Sequence, residues 1–254
     1  MSELRFCFVS FEDNEQSEVG DTFTHTWVKP AWGYCVTKYV YFWGSVGGVT
    51  SPSTSPFFSF HNTYNIPPPV EATFYIPGST SDATRRWSTS RFVLNLVTTI
   101  DNFGFQTVGQ KQFGSGMRFT NVTIPKLSYL WEVKLKFQSA ALVSTPCQKI
   151  RLRSEIAPNS AVFTDLANFD ARAWSASPLY WLNIPTWVAA GLYESPDVKT
   201  LFQEVISQPA WLPGNPVTFL FDDFLNNCTG DRRPWSYDGN PAKSPSLWVK
   251  YSPP

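Results

Sequence analysis

The stretch Tyr129-Leu130-Trp131-Glu132-Val133-Lys134-Leu135-Lys136-Phe137-Gln138 decides the fold class. Tyr129, Trp131, Val133, Leu135 and Phe137 point one way, while Glu132, Lys134, Lys136 and Gln138 point the other. A period of two belongs to a β-strand with one buried and one wet face. Working outward, residues 117–124, 148–154, 217–221 and 247–251 read as further strands. In 148–154, Lys149, Arg151 and Arg153 alternate with Ile150 and Leu152. One helix stands out. Ser195 is its expected N-cap and Pro196 its first residue, and Val198, Leu201, Phe202, Val205 and Ile206 form an apolar stripe that Pro209 ends.

The first third reads differently. Strands are expected at 4–11, 34–43 and 71–76, separated by an acidic run from Glu12 to Asp21 and by Pro/Ser-rich stretches at 50–56 and 67–69. Gly78-Ser79-Thr80-Ser81 reads as a turn or linker. The expectation is two domains, a β-rich docking or assembly domain at 1–90 and a β-sandwich at 91–254. Trp27, Trp32, Tyr39 and Tyr41 form a dense aromatic set that suggests an assembly interface.

Composition narrows the classes. Lys plus Arg is 20 and Asp plus Glu is 20, so the formal net charge is zero, and the basic excess of a nucleic-acid or membrane-surface binder is missing. Aromatics make up 17% of the chain and hydrophobic residues 43%, enough for a sizeable core and a solubility liability for a free monomer. Cys7, Cys35, Cys147 and Cys228 show no zinc spacing and read as small buried hydrophobes rather than a disulfide or metal set. Met1–Arg5 lacks the basic-then-apolar pattern of a secretion signal, and no run of 18 apolar residues is present.

Ordered motifs then carry a resemblance. They are Gly116-Met117-Arg118-Phe119-Thr120-Asn121-Val122-Thr123-Ile124-Pro125, Tyr129-Leu130-Trp131, Ile150-Arg151-Leu152-Arg153-Ser154-Glu155 and Trp181-Leu182-Asn183-Ile184-Pro185-Thr186-Trp187. Further on come Leu201–Ile206, Gln208-Pro209-Ala210-Trp211-Leu212-Pro213-Gly214-Asn215, and Arg232-Arg233-Pro234-Trp235-Ser236-Tyr237-Asp238-Gly239 with Pro245–Tyr251. From about residue 92 to 254 the chain resembles the DNRLRE-type β-jelly-roll family, modules similar to carbohydrate-binding modules. The resemblance implies a C-terminal jelly-roll β-sandwich with one short helix; with the strand pattern of the rest, the expectation is an all-β protein in which that sandwich is preceded by a smaller β-rich N-terminal domain. The acidic start of the family's first strand is reduced here to Thr98-Thr99-Ile100-Asp101-Asn102. No metal or other cofactor is expected.

A leaderless jelly roll looks like a virion component, made in the host cytoplasm and released by lysis. The leading expectation is a non-enzymatic virion structural protein, a head decoration, fibre or tail-tip component. Its partners would be copies of itself, as a homotrimer, and other virion proteins, with glycans as ligands and neither nucleic acid nor membrane. Trp235 and Tyr237, beside Arg232 and Asp238, form the candidate sugar platform, since flat rings stack on pyranose faces while polar groups meet the hydroxyls. The competing reading is that both rings pack the final turn. No nucleophile motif accompanies His25 or His61, and Asp222 and Asp223, adjacent on a strand, point to opposite faces. The alternatives are a free carbohydrate-binding module on cell-surface polysaccharide and, behind it, a polysaccharide-degrading enzyme.

Overall fold

The computed structural model describes residues 67–88, 90–106, 111–143, 145, 147–223 and 228–254, together with the backbone of five strands in the first 60 residues. The chain divides into two compact units, Met1–Ile66 and Pro67–Pro254. The division therefore falls near residue 66 rather than 90. Strand 71–76 belongs to the sandwich because its apolar alternate residues pair into that sheet, and Ser79–Ser81 is a 3-10 turn inside it.

In the first unit, β1 (Glu3–Val9) lies between β2 (Asn14–Gln16) and β3 (Lys38–Val46), and β4 (Val49–Pro52) and β5 (Phe58–Phe60) pair with β3. All pairings are antiparallel. Trp27, Trp32, His25 and His61 lie outside the described residues; of Tyr39 and Tyr41 only the backbone, within β3, is described.

The second unit is a β-sandwich. One sheet runs β14 (Leu192–Glu194), β11 (Tyr129–Gln138), β17 (Ser246–Ser252), β6 (Val70–Tyr75). The other runs β13 (Leu179–Ile184), β12 (Cys147–Ser154), β15 (Val217–Asp222), β10 (Lys111–Phe119), β7 (Asp82–Ser88), β8 (Arg91–Asn95). The short strands β9 (Phe103–Gln106) and β16 (Asp231–Arg232) pair with each other, and β9 also pairs with β10. Setting β7, β8, β9 and β16 aside leaves eight strands in chain order. The sheets then read first-eighth-third-sixth and second-seventh-fourth-fifth. That nesting of two Greek keys is a jelly roll.

The core lies between the sheets. Phe103, Phe137, Trp181, Trp187 and Phe221 pack at centroid distances of 5.3 to 6.4 Å. The predicted helix is α2 (Lys199–Ile206), and its stripe, with Val198, is buried in that core. Ser195 does not cap it. Its Oγ accepts from the Leu135 N–H at 3.0 Å, and Asp197 Oδ1 accepts from the N–H groups of Val133 and Lys199, each at 3.0 Å. The helix entrance is thus fastened to β11.

Other expectations are corrected. A β-bulge between Leu130 and Glu132 resets the alternation of β11. Leu130 joins Val133, Leu135 and Phe137 inside, while Trp131 turns out, its indole N–H donating to Ser252 Oγ at 2.9 Å. The strand expected at 117–124 is β10, which ends at Phe119, although Val122 and Ile124 stay buried. A second helix, α1 (Leu166–Asp170), is capped by Asp165, which accepts from the Asn168 N–H at 2.8 Å. Phe163 and Phe169 cover Ala83 and Leu220 in a second small core. Five residues are too few to show a helical period.

The largest correction concerns cysteine. Cys147 and Cys228 are disulfide-bonded, with Cα atoms 4.7 Å apart, joining the start of β12 to the segment after β15. Hydrophobic burial and disulfide bonding leave the same local sequence signature, so only the register of β12 on β15 brings the pair together.

Candidate functional site

The predicted platform divides once it is folded. Arg232 is 0% exposed. Its guanidinium donates to the carbonyls of Ile184 at 2.6 Å, Asp231 at 2.7 Å and Thr145 at 3.1 Å. Burial lowers its pKa from the usual arginine value, with Asp231 opposing. It braces the interior and is out of a ligand's reach. Trp235 is half-buried; its backbone N–H donates to Gln138 O at 3.0 Å, and Lys243 Nζ stands 5.8 Å over its ring. Tyr237 packs partly against the core. Gly239 lets the turn sit close, since a β-carbon there would fall 1.8 Å from Thr99 O.

Asp238 faces inward, to two carboxylates the sequence did not single out as its companions. Its Oδ1 accepts from Ser79 Oγ at 2.6 Å, and Asp82 Oδ2 accepts from the Tyr237 N–H at 2.6 Å. Asp101 Oδ1 accepts from Thr84 Oγ1 at 3.1 Å. Burial pushes Asp82 up to about 7, opposed by the Tyr237 N–H and reinforced by Asp238. Burial, then the charge of Asp82, raises Asp101 well above the usual carboxylate range, against the Thr84 hydrogen bond. Among the described residues, no group of three or more His, Cys, Asp or Glu is arranged to hold a metal ion.

Asp222, the last residue of β15, and Asp223, just beyond it, serve different neighbours. Asp222 is buried beneath Arg151 at 2.8 Å and Arg153 at 3.3 Å, and Asp223 Oδ2 accepts from the Cys228 N–H at 3.0 Å. Neither pairs with the other as the two carboxylates of a glycosidase would.

Among the described residues, an aromatic surface with Tyr75 exposed and Trp248 half-buried lies on the outer face of the four-stranded sheet. Register places Ser246 between Tyr75 and Lys136, Trp248 between Thr73 and Lys134, and Lys250 between Glu71 and Glu132. Leu247 and Val249 point into the core, so Trp248 points out. Tyr75 is 62% exposed and diagonal to Trp248 across the ladder. Lys136 Nζ lies 4.7 Å from the Trp248 ring centroid, and the indole N–H donates to Glu71 Oε2 at 3.2 Å. Lys134 bridges Glu132 at 2.8 Å and Glu194 at 3.2 Å, and its bond to Glu132 raises its pKa. The arrangement offers the exposed Tyr75 ring and the half-buried Trp248 ring, with Lys136 standing over the latter and donors and acceptors around both. Its sequence signal was the phase of 247–251, which puts Trp248 opposite Leu247 and Val249.

No family model matches the chain, and no curated protein does. Among solved structures, one from work on carbohydrate-binding modules of the β-sandwich superfamily is similar over 98% of this chain and 82% of its own. Identity is 8% and the TM-score 0.22. The fold assignment rests on the strand order above.

Proposed function

We propose that the sandwich is a non-catalytic recognition module that holds a glycan on the outer face of the four-stranded sheet, around Trp248 and Tyr75. The carrying observation is that this face sets two aromatic side chains diagonal to each other, with Lys136 and Glu71 in contact with one of them. A pyranose presents apolar C–H faces to such rings and hydroxyls to such charges. A non-catalytic reading suits the carboxylates as well. Asp222 is tied to arginines, and Asp101 is sealed from any substrate.

Glycan-array screening followed by titration tests this reading. Trp248→Ala and Tyr75→Ala are each expected to weaken binding at least tenfold, about 1.4 kcal/mol, and Trp235→Ala to leave it unchanged. Full binding by the Trp248→Ala, Tyr75→Ala double variant, or loss only with Trp235→Ala, would move the site off this face.

The finer form of the proposal keeps the DNRLRE-type kinship and sets the module on a virus particle as a decoration, fibre or tail-tip component. The disulfide supports a working life in an oxidising setting such as a virion surface. Self-association would run through the N-terminal unit. Light scattering at several concentrations is expected to show a stable oligomer; a 28.7 kDa monomer throughout would remove self-association.

A further inference from the structure

Three carboxylates from three separate segments converge at the end of the sandwich beneath the Trp235 turn. Asp82 opens β7, Asp101 lies in the 98–102 segment, and Asp238 belongs to the turn before β17. Asp101 is fully buried and Asp82 nearly so. Asp101 Oδ2 and Asp238 Oδ2 are buried without a hydrogen-bond partner, and the charges that act on Asp101 are Asp82 and Asp238. No ion pair involving any of the three is found among the described residues.

The groups that hydrogen-bond within the nest are neutral. The 3-10 turn and β7 contribute Ser79 and Thr84, and β10 contributes Ser115, which shares a 3.0 Å hydrogen bond with Thr84. From the 98–102 segment comes Asn102, whose N–H donates to Ser115 Oγ at 3.1 Å. The final turn adds the Tyr237 N–H and Ser236, whose Oγ donates to Thr98 O. Two cations lie nearby but are otherwise engaged: Arg118 with Ser81 Oγ and Ser160 O, and Lys243 over the Trp235 ring. Three negative charges in such a nest would be uncompensated.

We infer that Asp82 and Asp101 retain protons near neutral pH and, with Asp238 beside them, form a pH-operated latch that holds the 234–240 turn on the sandwich and loosens it as pH rises. A neutral Asp101 supplies a further O–H donor to the nest, and Asp238 Oδ2 is a buried acceptor in want of one. Tyr237 is held through its N–H on Asp82, so repulsion within the nest acts directly on the turn.

The sign follows from linkage. A carboxyl whose pKa is raised on folding binds its proton more tightly in the native state. Its stabilising contribution is complete below the unfolded value of 3.8 and is lost as pH rises to the native value, about 7 for Asp82; that of Asp101 is likewise raised well above the usual carboxylate range. Proton binding that is tenfold tighter in the native state favours folding tenfold, so Asp82 alone accounts for up to about a thousandfold between those limits.

The test compares wild type with Asp101→Asn by chemical denaturation from pH 5 to pH 8.5, which cancels every titration the two share. The folding constant of wild type relative to the variant is expected to fall at least tenfold as pH rises. Protection of the Tyr237 amide in hydrogen exchange, corrected for intrinsic rate, is expected to fall further in wild type than in the variant. A ratio independent of pH would overturn the latch, and so would calcium restoring wild-type stability at pH 8.5, which would make the nest a cation site. Should Asp101→Asn not fold, infrared spectroscopy of wild type decides. A protonated-carboxyl band at pH 6 that disappears by pH 8.5 is expected, and its absence at pH 6 overturns the proposal.

Discussion

Exchanging Cys147 and Cys228 together for serine is expected to lower the unfolding free energy of the sandwich by about 4 kcal/mol, and its melting temperature by roughly 10 °C. The bond closes a loop with a sequence separation of 81. In the chain-entropy account, a loop of that size removes roughly 4.5 kcal/mol of unfolded-state freedom. The linked segments are already neighbours, since β12 and β15 pair with Arg151 opposite Asp222. Denaturant titration of wild type with and without reductant, beside the double serine variant, checks this. Reduced wild type should match the variant, and an effect below about 1 kcal/mol would mean that the sheet alone holds the two segments.

Arg232→Ala is the second large effect, about 4 kcal/mol. The guanidinium satisfies three carbonyls drawn from β13, from residue 145 and from its own strand. Alanine would leave these without their donor and open a cavity beside the aromatic core. Arg233, whose side chain keeps 32% exposure and pairs with Asp231 at 2.8 Å, is expected to cost under about 1 kcal/mol when made alanine. Thermal melts of the two variants separate the cases. Equal, small losses would return Arg232 to the surface role that its sequence neighbourhood suggests.

That contrast explains how much of the site was legible. Arg232, Arg233, Trp235, Tyr237 and Asp238 sit within seven residues and read as a sugar platform, but proximity along the chain says nothing of depth. The chain passes from the interior at Arg232 to the half-buried Trp235 within three residues. Trp248 and Tyr75, which make the open face, are separated by 173 positions and meet only through the pairing of β6 with β17. Asp101 was noticed as a weak remnant of an acidic stretch; its companions Asp82 and Asp238 come from either side of it in the chain, and only the fold buries them together.

Alternation of side chains every second residue, as in 148–154 and 247–251, is a local steric property of extended chain, so the sequence by itself determined an all-β protein and one amphipathic helix at Lys199–Ile206. It could not determine phase where a bulge intervenes, and Trp131 went to the wrong face on that account. The tertiary structure alone decided the disulfide, the unit boundary at residue 66, the depth of Arg232 and the convergence of three aspartates. Each depends on which distant strands become neighbours. That is settled by closing two sheets over one core, a balance of many long-range contacts that no short stretch of chain encodes.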